Sequence, residues 1–286
     1  MILIADGGST KTDWCAIECG TAPHRFETLG LNPYHRSEEE IARTLREELL
    51  PRLQGVSPVA IRFYGAGCTA TGSVLVSQQL SALFPEADVA VESDLKGACI
   101  ALYGEETGIA AILGTGSNSC VWNGKEIVAQ IPSLGYVLGD EGSGASLGRA
   151  FLSDALKGLL PVRIKEELLD RYALTESDII ERVYRQPMQA RFLAGFAPFI
   201  AGKLDIPEVY TLVRICFDAF FRRTIARYDF PRRAVRFTGS VAYFFQSPLT
   251  EAARAVGFDI ERIERTPLEG IVRHFTPNER PWTFAK

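Results

Sequence analysis

Histidine is scarce in this sequence, with only His24, His35 and His274 in 286 residues, and the six cysteines at 15, 19, 68, 99, 120 and 216 include no CxxC pair. A zinc site needs such ligands grouped at short spacing, and a disulfide framework belongs to small cysteine-dense secreted chains, so neither is expected. Cys15 and Cys19, four apart in an expected strand, share one face and read as buried free thiols. No apolar run approaches the roughly 18 residues of a membrane span, and Met1-Ile2-Leu3-Ile4 lacks the basic stretch that opens a secretory signal. A cytoplasmic protein with no membrane partner is expected. The 31 Lys and Arg are interspersed with 35 Asp and Glu, and the net charge of −4 argues against nucleic acid as a partner. The P-loop pattern G-x-x-x-x-G-K-[ST] is also missing, since Lys11 follows Thr10 with no glycine beside it.

What is present is the balance of a globular protein, 47% hydrophobic and 23% charged, with chain enough for two domains. Hydrophobic period gives strands near 2–5, 13–19 and 25–29, a helix near 38–50, a strand near 59–64, a helix near 72–83, a strand near 88–91 and a helix near 94–103. Ser37 with the acidic run after it is a helix start. The order β-β-β-α-β-α-β-α then recurs: strands near 109–113, 118–123 and 126–131, helices from about 140, a strand at 234–238, a helix near 241–256, a strand at 258–263 and a last helix near 267–275. A helical block at about 150–228 interrupts the second copy. The expected fold is therefore α/β, two duplicated domains with mixed sheets and ligand between them, 1–106 and 107–286.

Three small loops carry the chemistry. "ADGGSTKTDW", residues 5–14, reads as a β-hairpin turn with more hydroxyls and charge than a turn needs. Its counterpart in the second copy is "ILGTGSNSC", residues 112–120, and "FTGSV", residues 237–241, ends a strand and opens a helix. Backbone amides in such turns form anion-binding concavities. Taken singly, each is weak, because glycine-rich turns without a ligand are commoner; their matching placement in a duplicated fold is the stronger signal. "GAGCTA", residues 65–70, fits G-x-G-x-x-A, but it follows the fourth strand rather than opening a βαβ unit, against a dinucleotide site.

In order, DGGSTKTDW, LGTGSNS, GDEGSG and FTGS resemble the two phosphate motifs, the sugar-contact segment and the adenosine motif of the N-acetylglucosamine kinase and BadF/BadG ATPase family, within the actin, hexokinase and Hsp70 superfamily. The resemblance spans nearly the whole chain and implies two ribonuclease H-like domains, ATP and Mg²⁺. Phosphoryl transfer is mostly positioning and charge neutralisation. By resemblance Asp6 holds Mg²⁺, through water because this ion dehydrates reluctantly. Gly8, Ser9, Thr10, Lys11 and Thr12 cradle phosphate from one domain, and Gly114, Thr115 and Gly116 from the other. Gly239 and Ser240 lie by the adenosine. Asp94 in "VESDLKGAC" is the implied base for the acceptor hydroxyl, although Ser93 or Asp94 could equally cap the helix that starts there. Asn32, Ser117, Asn118 and Asp140 fit the sugar contacts; Asn32 and Asp140 also read as turn or cap residues. Glu141 should face elsewhere.

The implied activity is transfer of the γ-phosphate of ATP to a hydroxyl, O6 by resemblance, of an N-acetylated amino sugar such as N-acetylglucosamine, with N-acetylmuramic acid and glucosamine as alternatives. A different class, a BadF-type ATPase serving as activator or regulator, would need paired thiolates at an interface, and the cysteine spacing offers none. "FYGAGC" is less glycine-rich than the family's usual stretch there. Aromatic runs such as "DAFF" and "AYFF" leave room for a homodimer interface as well as a core.

Overall fold

The computed structural model describes residues 1–18 and 20–276; Cys19, expected in the second strand, lies outside them. They divide into two compact units, Met1–Glu105 with the chain from Pro267 on, and Glu106–Thr266.

In the first unit β1 (Ile2–Gly7), β2 (Lys11–Ile17), β3 (His24–Leu29), β4 (Ala60–Gly65) and β5 (Asp88–Ser93) form one sheet in the order β3-β2-β1-β4-β5. β1, β2 and β3 pair antiparallel, and β1, β4 and β5 pair parallel. Central β1 has both faces covered, so Leu3, Ile4 and Ala5 are all fully buried and the strand reads as an unbroken apolar run. On one face Trp14 packs on Phe26 and Phe63 with ring centroids 6.4 and 5.8 Å apart, and the indole N–H donates to the Thr28 hydroxyl at 2.9 Å. The helix Glu38–Thr44 starts at Ser37 in a full capping box with Glu40.

The helix Leu268–Phe275 corrects the expected boundary. It belongs to the first unit, packed on the helix Asp94–Tyr103 and on β1 and β2, although it follows the second unit in the chain. Leu268, Ile271 and Val272 form its buried stripe, and a Cβ on Gly270 would stand 2.5 Å from the Ala101 carbonyl oxygen, so glycine lets the two helices touch. Arg25 of β3 holds the Glu269 carboxylate with both terminal guanidinium nitrogens.

The second unit repeats the topology. β6 (Gly108–Leu113), β7 (Ser117–Trp122), β8 (Ile127–Gln130), β9 (Ala234–Thr238) and β10 (Asp259–Glu264) run in the order β10-β9-β6-β7-β8. The antiparallel and parallel pairings match those of the first sheet strand for strand. The expected helical block is present, with helices at Val162–Tyr172, Glu176–Tyr184, Gln189–Ala194, Ala197–Ala201 and Pro207–Arg223. Phe220 and Phe221 of the last of these pack on Phe237 of β9 in tilted and edge-on contacts with ring centroids 6.1 and 6.0 Å apart. The helix expected at 241–256 is two, Ser240–Phe244 and Gln246–Ala255, broken at Phe245. Among the described residues no helix is long and apolar enough to cross a membrane.

Candidate active site

In the first unit the parallel strands β1, β4 and β5 end in register, with Gly7 beside Gly65 and Gly65 beside Ser93. Ligands of α/β sheets gather at the carboxyl ends of such strands. Asp6 in β1 and Asp94, directly after β5, stand at this same end, and β1 and β5 are two strand spacings, about 10 Å, apart. The hairpin turn between β1 and β2 is closed by the Gly8 N–H donating to the Lys11 carbonyl at 2.9 Å, and the Gly30 N–H donates to the Thr10 carbonyl at 3.0 Å. Among the described residues the amides of Ser9 and Thr10 donate to no other group.

Asn32 is buried, and both ends of its amide are used: Nδ2 donates to the Ser9 hydroxyl oxygen at 2.7 Å, and Oδ1 accepts from the Tyr34 N–H at 2.9 Å. The Ser9 hydroxyl hydrogen is left to donate elsewhere. Lys11 departs from its expected place. Register sets Asp13 opposite Glu27, and the ammonium bonds both carboxylates, at 2.8 and 2.5 Å, so its charge is committed within the sheet. Thr12 is fully buried beneath the turn, and among the described residues its hydroxyl has no hydrogen-bond partner.

The rival readings of residue 94 separate here. Ser93 is the N-cap, its hydroxyl accepting from the Lys96 N–H at 3.2 Å, so Asp94 is not needed for that role. Asp94 occupies the first helical position, accepts from the Leu95 N–H at 2.8 Å, and has its carboxyl raised above the ordinary range by burial, an effect the backbone donors only partly offset. The GAGC loop lies between Asp94 and Asn32. The Cys68 thiol is pushed up to about 12 by burial and by the neighbouring Asp94 carboxylate, and a Cβ on Gly67, at φ 78°, would run into Asn32 and Tyr34. Gly67 and Cys68 lie in the GAGCTA turn, whose sequence signal is a glycine-rich turn between a strand and a helix and does not by itself assign them to the site.

In the second unit the turn Gly114–Thr115–Gly116 joins β6 to β7 over the N-terminus of the helix Gly144–Leu156. Helix amides of Gly144 and Ala145 donate to the Gly114 and Thr115 carbonyls, at 2.8 and 3.1 Å. In a trans peptide the C=O and the following N–H point in opposite directions. With those two carbonyls drawn into the helix, the N–H groups of Thr115 and Gly116 face outward, and among the described residues neither has an acceptor. Ser143 caps the helix, its hydroxyl accepting from the Ser146 N–H at 3.1 Å.

Asp140 lies against this turn. It has a left-handed backbone (φ 52°), its N–H donates to the Ser133 carbonyl at 2.8 Å, and its carboxylate accepts from the Ser117 N–H at 3.3 Å. A Cβ at position 116 would stand 3.0 Å from that carboxylate, so the second glycine of LGTG admits Asp140. Burial raises the Asp140 carboxyl, partly offset by the Ser117 N–H. Ser117 is buried and Asn118 half-buried, its Oδ1 accepting from the Ser119 N–H and from Gln130 Nε2, both at 3.0 Å. Glu141 faces elsewhere, toward Arg223 at 3.2 Å. Thr238 pairs with Ile112 and is followed by Gly239 at φ 115°, whose backbone is pressed on that of Leu113, so FTGS and LGTG are neighbours. Ser240, exposed, opens the next helix.

No family model matches the chain, and no curated protein matches it. Solved structures do. A candidate N-acetylglucosamine kinase from Porphyromonas gingivalis is 46% identical over 97% of this chain and 99% of its own, with a TM-score of 0.93. The chain belongs to the same sugar-kinase family. A candidate N-acetylglucosamine kinase from Chromobacterium violaceum (20% identity, 96% and 98% coverage, TM-score 0.72) and a ROK hexokinase from Thermus thermophilus (16%, 96% and 97%, 0.50) share the fold. The two mixed five-stranded sheets are those of the actin/hexokinase-like fold. In a sugar kinase of this fold, the residues gathered at the strand ends and the two hairpin turns are the candidate machinery.

Proposed function

We propose that this sugar kinase uses ATP to phosphorylate a hydroxyl, O6, of N-acetylglucosamine or a near relative of it. The observation that carries the reading is the pair of matching turns, each offering two consecutive backbone N–H groups, Ser9 with Thr10 and Thr115 with Gly116, that no acceptor among the described residues uses. Such amide pairs suit phosphate oxygens. The Ser9 and Thr115 hydroxyls add donors, and Gly239 and Ser240 adjoin the second turn on the side where the nucleoside would lie. The sugar named for the Porphyromonas relative supports the choice of acceptor.

The acidic residues fit Mg²⁺ in the way this ion is usually held, by one or two carboxylates, substrate phosphates and water. Asp6 is the carboxylate at the first turn, and among the described residues no cluster of three or more His, Cys, Asp or Glu forms an all-protein cage. When bound, the ion supplies positive charge for the phosphate oxygens. Asp94 orients the acceptor hydroxyl and takes its proton. Asp140, Ser117 and Asn118 in the second unit are the groups proposed to read the sugar hydroxyls; in the first unit the proposed one is Asn32, whose Nδ2 donates to the Ser9 hydroxyl.

Asp94 must be ionised to take a proton. Because burial raises its carboxyl, the ionised fraction falls at a higher pH than for an ordinary aspartate near 4. The acid limb of kcat/KM is therefore expected above that value, and a pH profile with its inflection at or below about 4 would remove Asp94 as the base.

The test of the reading is a coupled ADP-release assay across N-acetylglucosamine, N-acetylmuramic acid, glucosamine, N-acetylmannosamine and glucose. The highest kcat/KM is expected on N-acetylglucosamine; release of ADP unaffected by any sugar would overturn the kinase reading. An activator-type ATPase built on an iron-sulfur cluster has no observation in its favour. Such a cluster sits between two subunits and needs thiolates presented at a surface, whereas Cys15, Cys68, Cys99 and Cys120 are buried.

A further inference from the structure

Resting on the kinase reading, we infer that Gln130 is a positioning residue that locks the amide of Asn118 with its nitrogen toward the substrate, so that this position of the sugar site is a donor and selects a ligand oxygen. Orientation of an asparagine amide is ordinarily ambiguous. Here it is decided by a group that can only donate. The backbone N–H of Ser119 points at one terminal atom of Asn118 at 3.0 Å, which identifies that atom as the oxygen. Gln130 Nε2 donates to the same oxygen at 3.0 Å. Both protein contacts of the side chain thus fall on Oδ1, and Nδ2 keeps two N–H groups with no acceptor among the described residues.

The elements explain why these two side chains meet. β7 alternates: Ser119 turns its hydroxyl to Tyr228, 2.9 Å away in the helical core, so Asn118 lies on the opposite face of the sheet. Gln130 pairs in register with Cys120, two residues along β7, and therefore shares the face of Asn118. β8 is the edge of its sheet and Gln130 is exposed there, so it contributes no packing that its loss would remove. Asp140 can only accept when ionised, and Asn118 held in this way can only donate. A pair of opposite polarity around Ser117 matches a sugar that presents one hydroxyl as a donor and a second oxygen, a hydroxyl or an acetyl carbonyl, as an acceptor.

The polarity can be tested with Gln130→Ala, Gln130→Glu and Asn118→Ala, measuring KM for sugar and for ATP together with the melting temperature. Gln130→Glu keeps the size and points an acceptor at an oxygen; it is expected to raise the sugar KM about tenfold, and Gln130→Ala, where water can replace the donor, about threefold. KM for ATP and the melting temperature should stay at wild-type values. In the Asn118→Ala background the effect of Gln130→Glu should vanish, since there is no amide left to orient. A wild-type sugar KM in Gln130→Glu, or an undiminished effect in the Asn118→Ala background, would overturn the lock. Wild-type protein that phosphorylates no sugar would instead overturn the kinase reading beneath it.

Discussion

Asp94→Asn is expected to lose sugar phosphorylation by about a thousandfold, the scale of a positioned general base, while binding ATP as the wild type does. The substitution keeps the shape and the hydrogen bond accepted from the Leu95 N–H, and Ser93 still caps the helix, so the local backbone has no reason to move. It also removes a carboxyl that the fold holds at a cost. A raised value means that the folded protein binds the proton more tightly than the unfolded chain, so ionisation at neutral pH works against folding, and stability recovers as pH falls through the raised value. An amide carries no such charge. Asp94→Asn should therefore melt higher than the wild type at neutral pH, with the difference shrinking in acid. A residue kept despite its effect on stability is the pattern of a functional site. Turnover within tenfold of wild type would remove Asp94 from the mechanism, and a lower melting temperature would return it to a structural role.

Gly239→Ala is expected to destabilise the second unit by about 3 kcal/mol and to weaken ATP binding at least tenfold. At φ 115° and ψ 153° the backbone lies where side chains are not tolerated, and the new Cβ would collide with the carbonyl of Leu113. Leu113 is the last residue of β6, so a shift there displaces the Gly114–Gly116 turn that follows. Gly257 provides the control. Its φ is also positive, at 76°, but a Cβ would meet nothing within 4 Å. Gly257→Ala should cost about 1 kcal/mol from backbone strain alone and leave ATP affinity unchanged. Thermal melts and nucleotide titrations of both variants separate strain from contact; equal effects would mean that the approach of Gly239 to Leu113 is not what matters.

The duplicated order of strands and helices was legible because the central strands are buried on both faces. Ile2–Gly7 and Gly108–Leu113 are apolar runs closed by glycine-rich turns, and no other element type fits so short a run between such turns. The helical block was legible from its long apolar period. What escaped depends on register and on returns of the chain. Nothing local says that the helix Leu268–Phe275 rejoins the first unit; its buried stripe would fit either sheet, and the decision lies in Gly270 meeting Ala101 and Glu269 meeting Arg25. Lys11 looked like a phosphate ligand because its neighbours are hydroxyls, but pairing of β2 with β3 sets Glu27 across from Asp13 and draws the ammonium to both. Asn32 is joined to Ser9 across 23 residues, a contact that only the fold makes. The choice between Ser93 and Asp94 as helix cap needed a single hydrogen bond to resolve.

The central claim is that both hairpin turns hold the phosphates of one nucleotide. A crystal structure with magnesium and a non-hydrolysable ATP analogue tests it most directly. The account predicts phosphate oxygens within about 3 Å of the Ser9 and Thr10 amides and of the Thr115 and Gly116 amides. A nucleotide bound elsewhere, with both sets of amides facing only water, would contradict it.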